Sequence, residues 1–167
     1  MSTYTVRFAE QDDIPAIARA ISAAWQTAYS DVMGPEFPRT RTADKYEVIF
    51  TDILRTGKET IFVCERDEQV IGLVSLRDYN EGVYDCEVGG LYVHPDFQGM
   101  GAGAALLDAA KDYCRVQGNK KMIIWTLLGV KNNKFYEKQG GIAAEYKTYT
   151  FGGAAYKGVG YAFKLSL

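Results

Sequence analysis

The sequence is poor in the residues that build metal sites and disulfide frameworks. It contains 3 cysteines, Cys64, Cys86 and Cys114, which are odd in number, far apart and never arranged as C-x-x-C. Neither a disulfide framework nor a zinc site is expected from this spacing. The chain also has a single histidine, His94, which excludes sites in which several imidazoles hold a metal. We therefore predict that no metal is bound.

The chain also lacks a marked excess of basic or acidic residues and any extended apolar stretch. The 19 Lys and Arg residues are balanced by 21 Asp and Glu residues, which gives a formal net charge of -2. This balance excludes the basic surplus expected of a nucleic-acid-binding protein. The chain has neither an apolar run of membrane-spanning length nor the basic-then-apolar start of a signal peptide. We expect a cytoplasmic protein that has neither nucleic acid nor membrane as a partner.

The patterning that is present predicts one mixed α/β domain over residues 1–167. At this length, with 47% hydrophobic residues, the chain can bury a core of its own. Segments with alternating apolar residues predict strands, and segments with apolar residues at helical spacing predict helices. In chain order they give β, α, α, β, β, β, α, β, α, β, β, which predicts a mixed sheet with helices on its faces.

One loop stands out between a predicted strand and a predicted helix. The segment HPDFQGMGAG (94–103) follows the apolar run GGLYV and precedes the helix-forming AALLDAAKDYC. It carries three glycines within five residues, at positions 99, 101 and 103. Free N–H groups and the helix dipole at such a helix start favour an anion, and glycine lets a diphosphate approach the backbone. The loop is a candidate phosphate site, with a plain glycine-rich connector as the alternative.

Two familiar phosphate loops do not fit this segment. The P-loop requires G-x-x-x-x-G-K-[ST], and the segment has no Lys, Ser or Thr at the required positions. The dinucleotide fingerprint requires G-x-G-x-x-G, whereas the glycines here run G-x-G-x-G. That fingerprint also needs an acidic residue about twenty positions later, where this chain has NKKMII.

A third motif does fit. LYVHPDFQGMGAG resembles the acetyl-CoA-binding motif Q/R-x-x-G-x-G/A of the GNAT superfamily of N-acetyltransferases, which Gln98, Gly101 and Gly103 match. KFYEKQGG (134–141) resembles the FYEKxG segment that follows the family's fifth strand. The resemblance implies a mixed, mostly antiparallel, twisted sheet of about seven strands flanked by about four helices, with the fourth and fifth strands splayed apart. It also implies acetyl-CoA as a co-substrate.

The resemblance assigns residues to the donor side of the reaction. The Val93 N–H is the candidate oxyanion donor, and Tyr136 is the candidate general acid that protonates the CoA thiolate. Many relatives have an asparagine before this tyrosine, but Gly129 and Val130 occupy those positions here. Whether Asn132 or Asn133 makes the contact is left open. The residues predicted to bind CoA are Leu91, Tyr92, Val93, Gln98, Gly99, Met100, Gly101, Ala102, Gly103, Ala104, Asn132 and Lys134.

On the acceptor side, the resemblance makes Glu87 the candidate general base, with water relaying the proton. Strand alternation predicts that Glu87 shares a face with Leu91 and Val93. Asp85 is the reserve carboxylate. Asp85, Trp25 and Tyr29 are the predicted acceptor-binding residues.

These residues predict an N-acetyltransferase that moves an acetyl group from acetyl-CoA to a primary amine of a small molecule or peptide, directly and within a ternary complex. The alternative is a non-catalytic acyl-CoA-binding module or sensor on the same fold. The resemblance allows a homodimer. The sequence leaves the acceptor and the oligomeric state open.

Overall fold

A computed structural model describes residues 3–165, so the predicted end of the last strand at residues 166–167 lies outside the described residues. The strands are β1 (Thr5–Phe8), β2 (Thr60–Arg66), β3 (Gln69–Asp78), β4 (Cys86–Val93), β5 (Lys121–Leu127), β6 (Ile142–Phe151) and β7 (Ala154–Lys164). The helices are α1 (Ile14–Ala28), α2 (Ser30–Met33), α3 (Glu36–Arg39), α4 (Ala43–Thr56), α5 (Ala102–Val116) and α6 (Asn132–Lys138). The segment between α1 and α4 therefore holds two one-turn helices, where the sequence predicted only a break.

The ends of the first helices follow from local chemistry. Before α1, the Asp13 carboxylate accepts the Glu10 N–H at 2.7 Å, and Pro15 occupies the first turn, where its missing N–H costs nothing. The last long helix before the sheet, α4, ends at Gly57, whose φ of 68° is left-handed. Within residues 3–165, no helix combines the length and the apolar character needed to cross a membrane.

The seven strands form one sheet in the order β1-β2-β3-β4-β5-β7-β6. Only β4 and β5 run parallel, and every other neighbouring pair is antiparallel. The β2–β3 hairpin turns at Asp67 and Glu68, both with positive φ, as a tight two-residue turn requires. The mixed, mostly antiparallel architecture is the one predicted.

A gap opens between the two parallel strands. β4 pairs with β5 only at Cys86–Met122, Glu87–Ile123 and Val88–Ile124, although both strands continue beyond these pairs. From there β4 remains paired to β3 and β5 to β7. Among the described residues, the facing edges of 89–93 and 125–127 have no strand between them. The splay expected of the fourth and fifth strands is therefore present.

A β-bulge at Gly89 changes which residues of β4 face which side. In the β3 ladder Gly90 pairs with Ser75 and Val88 with Leu76, so Gly89 is an extra residue. Val88 packs in the same core as Leu91 and Val93, whereas Tyr92 packs in the other core. Side chains before and after the bulge therefore follow opposite alternation.

The two cores lie on opposite faces of the sheet. One is formed against α5 and α6 and includes Leu106 and Tyr136. The other is formed against α1 and α4 and includes Ile17 and Phe50. The gap between β4 and β5 lies between these two layers, so helices from both faces can contribute side chains to it.

Candidate active site

The glycine loop leads directly from β4 into the first turn of α5. Gly99 and Gly101 have φ values of 77° and 92°, a left-handed conformation that favours glycine. The first hydrogen bond of the helix runs from the Ala105 N–H to the Gly101 carbonyl at 3.0 Å. The N–H groups of residues 102–104 thus precede the helical ladder and lie at the positive end of the helix dipole. This arrangement suits a phosphate.

Neighbouring elements fix the loop in place. A Cβ at Gly103 would lie 3.3 Å from the Phe135 ring, so α5 and α6 approach closely here. The Tyr4 hydroxyl donates to the Met100 carbonyl at 2.5 Å. Arg66 Nη1 lies 3.2 Å from the Met100 sulfur and brings a cation to the loop. Arg66 could not be found from the sequence, because β2 is distant along the chain and meets the loop only in the fold.

Gln98 and Val93 are joined at the end of β4. Gln98 Nε2 donates to the Val93 carbonyl at 2.9 Å, so this predicted CoA-binding residue also holds the loop against the strand. The next residue, His94, donates its N–H to the Ile71 carbonyl on β3 at 2.8 Å. Successive residues of a strand direct their N–H groups to opposite edges, so the Val93 N–H points to the gap. This is the direction that an oxyanion donor would need.

Tyr136 is buried where α6 meets the sheet, 4% exposed. Its ring packs against Phe135 and Tyr161, with centroids 5.4 and 5.6 Å away. Its hydroxyl has no hydrogen-bond partner in the described part of the chain. Burial raises the pKa of Tyr136, so the phenol keeps its proton at neutral pH and can donate it.

The two asparagines that open α6 have different contacts. Asn133 closes the loop after β5, since it accepts the Gly129 N–H and donates to the Leu127 carbonyl, both at 2.9 Å. Asn132 Oδ1 accepts from the Thr126 hydroxyl at 2.9 Å and from Asn133 Nδ2 at 3.1 Å. With both donors on its oxygen, Asn132 directs its amide nitrogen away from them. Of the two, Asn132 is the one available at the gap.

The end of α1 contributes Tyr29 to the same place. Its hydroxyl lies 3.5 Å from Thr126 Oγ1 and also interacts with Asn132, while burial raises the pKa of Tyr29. Trp25 packs behind it, with ring centroids 4.5 Å apart, and the Arg41 guanidinium lies 5.0 Å from the Trp25 ring. Tyr29 thus reaches the gap, and Trp25 belongs to the aromatic layer that supports it.

Glu87 lies on β4 opposite Arg77 on β3. Its two carboxylate oxygens accept from Arg77 Nε and Nη2, each at 3.2 Å, and its side chain is 12% exposed. The pairing raises the pKa of Arg77. The bulge places Glu87 on the α1–α4 side, with Tyr92. The prediction that Glu87 shares a face with Leu91 and Val93 is therefore wrong, because strict alternation does not hold across a bulge.

Strand register indicates how far Glu87 lies from the gap. Glu87 is paired with Ile123 on β5, and Thr126 at the gap lies three residues further along that strand. At about 3.3 Å per residue, Glu87 and Thr126 are about 10 Å apart along the strand direction. Direct proton transfer cannot span this distance, so Glu87 can act as a base only through water.

Asp85 is not brought to the gap. Its Oδ2 accepts the N–H groups of Lys120 and Lys121 at 2.7 and 3.0 Å, and these bonds lower the pKa of Asp85. These two bonds hold the start of β5 against Asp85, at the end of β5 that is remote from the gap. Asp85 therefore binds the backbone of β5 and does not make the predicted contact with the acceptor. It does so because it directly precedes β4 at the end where β4 and β5 are paired.

A different carboxylate lies near Glu87. A Cβ at Gly89 would lie 2.7 Å from Glu59 Oε1, and the charge of Glu59 contributes to the raised pKa of Arg77. Glu59 and Glu87 thus both lie near the guanidinium of Arg77. Glu59 could not be linked to β4 from the sequence, because it precedes β2 and nothing in its local pattern points to β4.

The remaining residues predicted to bind CoA lie on β4, α5 and α6. Leu91 packs on the α5 side of the sheet, and Tyr92 packs on the α1 side, where burial raises its pKa strongly. Ala102 is buried beneath the first turn of α5, Ala104 is half-buried and Lys134 is exposed on α6.

A family model for acetyltransferases, the Acetyltransferase (GNAT) family, matches residues 23–141, which contain the gap, the loop and α6. The chain belongs to the GNAT acetyltransferase family. The family resemblance inferred from residues 91–103 and 134–141 is thereby confirmed.

A curated relative agrees with this placement. An uncharacterized N-acetyltransferase of Methanocaldococcus jannaschii is 27% identical over 156 residues, which cover 84% of this chain and 61% of that protein. The chain thus spans about three fifths of that relative's length.

Solved GNAT structures share the fold. A GCN5-related N-acetyltransferase from Rhodopseudomonas palustris has a TM-score of 0.79 at 20% identity, covering 98% of this chain and 97% of that one. The yncA acetyltransferase of Salmonella typhimurium, solved with its cofactor acetyl-CoA, has a TM-score of 0.73 at 22% identity, with 98% and 94% covered. At these identities the likeness establishes the fold.

Proposed function

We propose that this GNAT domain, over residues 1–167, is an acetyl-CoA-dependent N-acetyltransferase that acts on a primary amine of a small molecule or peptide. The observation that carries the proposal is the convergence of three groups on one gap. The Val93 N–H points into it, Asn132 lies at its edge, and the Tyr136 hydroxyl, which interacts with Tyr29 there, keeps its proton and has no hydrogen-bond partner among the described residues. The glycine loop lies directly beyond it.

The loop would hold the coenzyme. The N–H groups of residues 102–104 are the donors for the diphosphate, and Gly99 and Gly101 leave room for it. Arg66, beside Met100, adds a positive charge. The pantetheine arm would run through the gap, where the edge of 89–93 has no strand partner among the described residues and Asn132 offers its amide nitrogen.

The chemistry follows from these positions. The amine nitrogen attacks the thioester carbonyl, and the oxygen that gains charge is stabilised by the Val93 N–H. The carbon–sulfur bond then breaks, and the Tyr136 hydroxyl gives its proton to the leaving thiolate. The proton lost by the amine passes through water to Glu87. Acetyl is transferred directly, so no covalent acyl-enzyme forms.

The carboxylates Glu87 and Glu59 favour an acceptor that arrives as an ammonium ion. They lie on the α1–α4 side of the sheet, whereas the glycine loop starts α5 on the other side. Donor and acceptor would thus enter the gap from opposite faces, as a ternary complex requires.

One observation favours the alternative, a non-catalytic acyl-CoA sensor. Arg77 donates to both oxygens of Glu87, which commits this carboxylate to a contact with β3. In a sensor, this pair would only stabilise β3 against β4.

Coenzyme binding and turnover distinguish these possibilities. Calorimetry should detect CoA binding, and free-thiol release from acetyl-CoA should depend on an amine from a panel of small amines and peptides. Gly101→Asp should abolish binding, since it places bulk and negative charge against the diphosphate. Gly118→Asp, at a glycine with a similar φ of 85° after α5, is the matched control and should bind normally. Binding without turnover on any amine would favour the sensor, and binding unchanged by Gly101→Asp would reject the loop assignment.

A further inference from the structure

Two buried thiols meet at the end of β4 and α5 that is remote from the glycine loop. Cys86 is the first residue of β4, and Cys114 lies in the last turns of α5. Their sulfur atoms are 3.1 Å apart, and the residues are 3% and 1% exposed. β4 runs from this end of the sheet to the glycine loop, and α5 runs back from the loop to the same end. This path brings together two cysteines that are far apart in sequence. The spacing rules applied to the sequence could not show this.

We propose that Cys86 and Cys114 form a thiol oxidation site, which a hydroperoxide converts to an intramolecular disulfide. The site is separate from the acetyl-transfer chemistry and does not depend on it. Both thiols are free in the reduced chain. The proposal stands on their contact, on a cavity that reaches them and on a difference between the two sulfurs.

A cavity of about 360 Å³ provides the approach. Cys86 and Cys114 line it, together with polar side chains that include Arg77, Asp78 and Asn119. Hydrogen peroxide is small enough to enter such a space and can hydrogen-bond to its polar wall. The thiols are thus buried from bulk solvent yet border a space that a small oxidant can occupy.

The two sulfurs are not equivalent. The Cys86 thiol donates a hydrogen bond to Cys114 Sγ. That bond lowers the pKa of Cys114, and it raises the pKa of Cys86, which burial raises further. Thiolate is the reactive form of cysteine, so Cys114 is the sulfur that attacks first.

The oxidation proceeds in two steps. The Cys114 thiolate attacks one oxygen of the hydroperoxide, the O–O bond breaks, and the other oxygen leaves as an alcohol, or as water from hydrogen peroxide. The Cys86 sulfur then attacks the sulfenic acid on Cys114, the S–OH bond breaks, and the hydroxide leaves as water with the Cys86 proton. Two thiols lose two electrons in total, and the peroxide gains them.

The bond would enclose residues 87–113, which contain the rest of β4, the whole glycine loop and most of α5. Closing a loop of this size restricts the unfolded chain. Oxidation should therefore raise the Tm of the protein.

Cys64 provides an internal comparison. It lies in the middle of β2, fully buried, and burial raises its pKa to about 11. It does not line the cavity that the other two cysteines share. Cys64 should stay reduced under conditions that oxidise the pair.

Thiol counting after treatment of the folded protein with hydrogen peroxide tests the proposal. After quenching and denaturation, we expect the titratable thiols to fall from three per chain to one. Tryptic mapping without reductant should show one peptide pair joined through Cys86 and Cys114. Cys64→Ala should fall from two thiols to none, whereas Cys86→Ala and Cys114→Ala should form no internal disulfide.

Three results would overturn the proposal. They are a linked pair that includes Cys64, stable sulfinic acid on Cys114 in place of the disulfide, and loss of all three thiols at one common rate. The last would mean that oxidation follows global unfolding. Because Cys86→Ala and Cys114→Ala exchange small buried side chains, circular dichroism of each variant will show whether it is folded before it is scored.

Discussion

The Thr126 hydroxyl donates to Asn132 Oδ1 at 2.9 Å, and this bond sets which end of the Asn132 amide faces the gap between β4 and β5. Because Thr126 has one proton and gives it to Asn132, its contact with Tyr29 at 3.5 Å has the tyrosine as donor. Tyr29 at the end of α1 and Thr126 on β5 thereby fix the orientation of the Asn132 amide on α6. Its nitrogen becomes a donor of defined direction for a ligand in the gap.

Thr126→Val should therefore weaken coenzyme binding without unfolding the protein. Valine has the shape of threonine, and the site is buried, but Asn132 loses a donor and its amide can rotate. We expect the KM for acetyl-CoA to rise about fivefold, the equivalent of one hydrogen bond worth about 1 kcal/mol. Steady-state kinetics measure this, and Thr126→Ser, which keeps the hydroxyl, is the control. In an Asn132→Ala background the valine should add nothing, and additive losses would contradict the orientation model.

Tyr136→Phe should separate catalysis from binding and from stability. We expect kcat to fall about 10²-fold, the usual contribution of a general acid, with little change in the Kd for CoA. The Tm should stay near that of the wild type, since the hydroxyl has no partner among the described residues whose loss would leave a buried group unpaired. An equal loss of CoA affinity would show that the hydroxyl serves binding instead.

Glu87→Gln and Glu59→Gln compare the two carboxylates around Arg77. If water carries the amine proton to Glu87, Glu87→Gln should lower kcat/KM most near neutral pH and less at high pH, where the free amine is already abundant. Glu59→Gln should leave the shape of the pH–rate profile unchanged. The reverse order of effects would move the base to Glu59, and a loss at Glu87 that is equal at every pH would indicate positioning of the acceptor.

Asp13 should govern the acid stability of the first helix. Arg7 donates to its carboxylate at 2.8 and 3.0 Å, and this lowers the pKa of Asp13. A pKa that is lower in the folded state stabilises the fold above the unfolded value of about 4, and the contribution is lost as the pH falls through the folded pKa. Asp13→Asn should cost about 1–2 kcal/mol of unfolding free energy at neutral pH.

Urea unfolding at neutral and at acidic pH checks this sign. The difference between wild type and Asp13→Asn should shrink as the pH falls, while the exposed neighbour Asp12, changed to Asn, should show little difference at either pH. A difference that grows in acid would contradict the assignment to Arg7.

The features that the sequence predicted well are those with local causes. The glycine-rich turn at Gly99 and Gly101, both left-handed, depends on a few adjacent residues. Strand and helix order followed from hydrophobic periodicity for the same reason. The turn of the glycine loop could therefore be predicted from residues 94–103 alone.

The features that it missed have causes elsewhere in the fold. The bulge at Gly89 follows from the register with β3. The contact that Asp85 makes follows from the position of the backbone N–H groups at the start of β5. The sequence left Asn132 and Asn133 equivalent, and only the contact with Thr126 separates them. In each case the deciding partner lies on another strand, where periodicity along one segment carries no information.

The bulge has a consequence for how β4 can vary. The strand consists of two halves of opposite phase, one up to Val88 that addresses the α5 core through even-numbered positions and one from Gly90 that addresses it through odd-numbered positions. Deleting Gly89 would make Val88 and Gly90 adjacent, opposite Leu76 and Ser75, so the ladder would become regular while Leu91, Tyr92 and the Val93 N–H kept their directions. The deletion would remove only the local bend that the extra residue gives β4 at the point where it separates from β5. Gly89 is therefore a position at which this strand can lose a residue without exchanging its two faces.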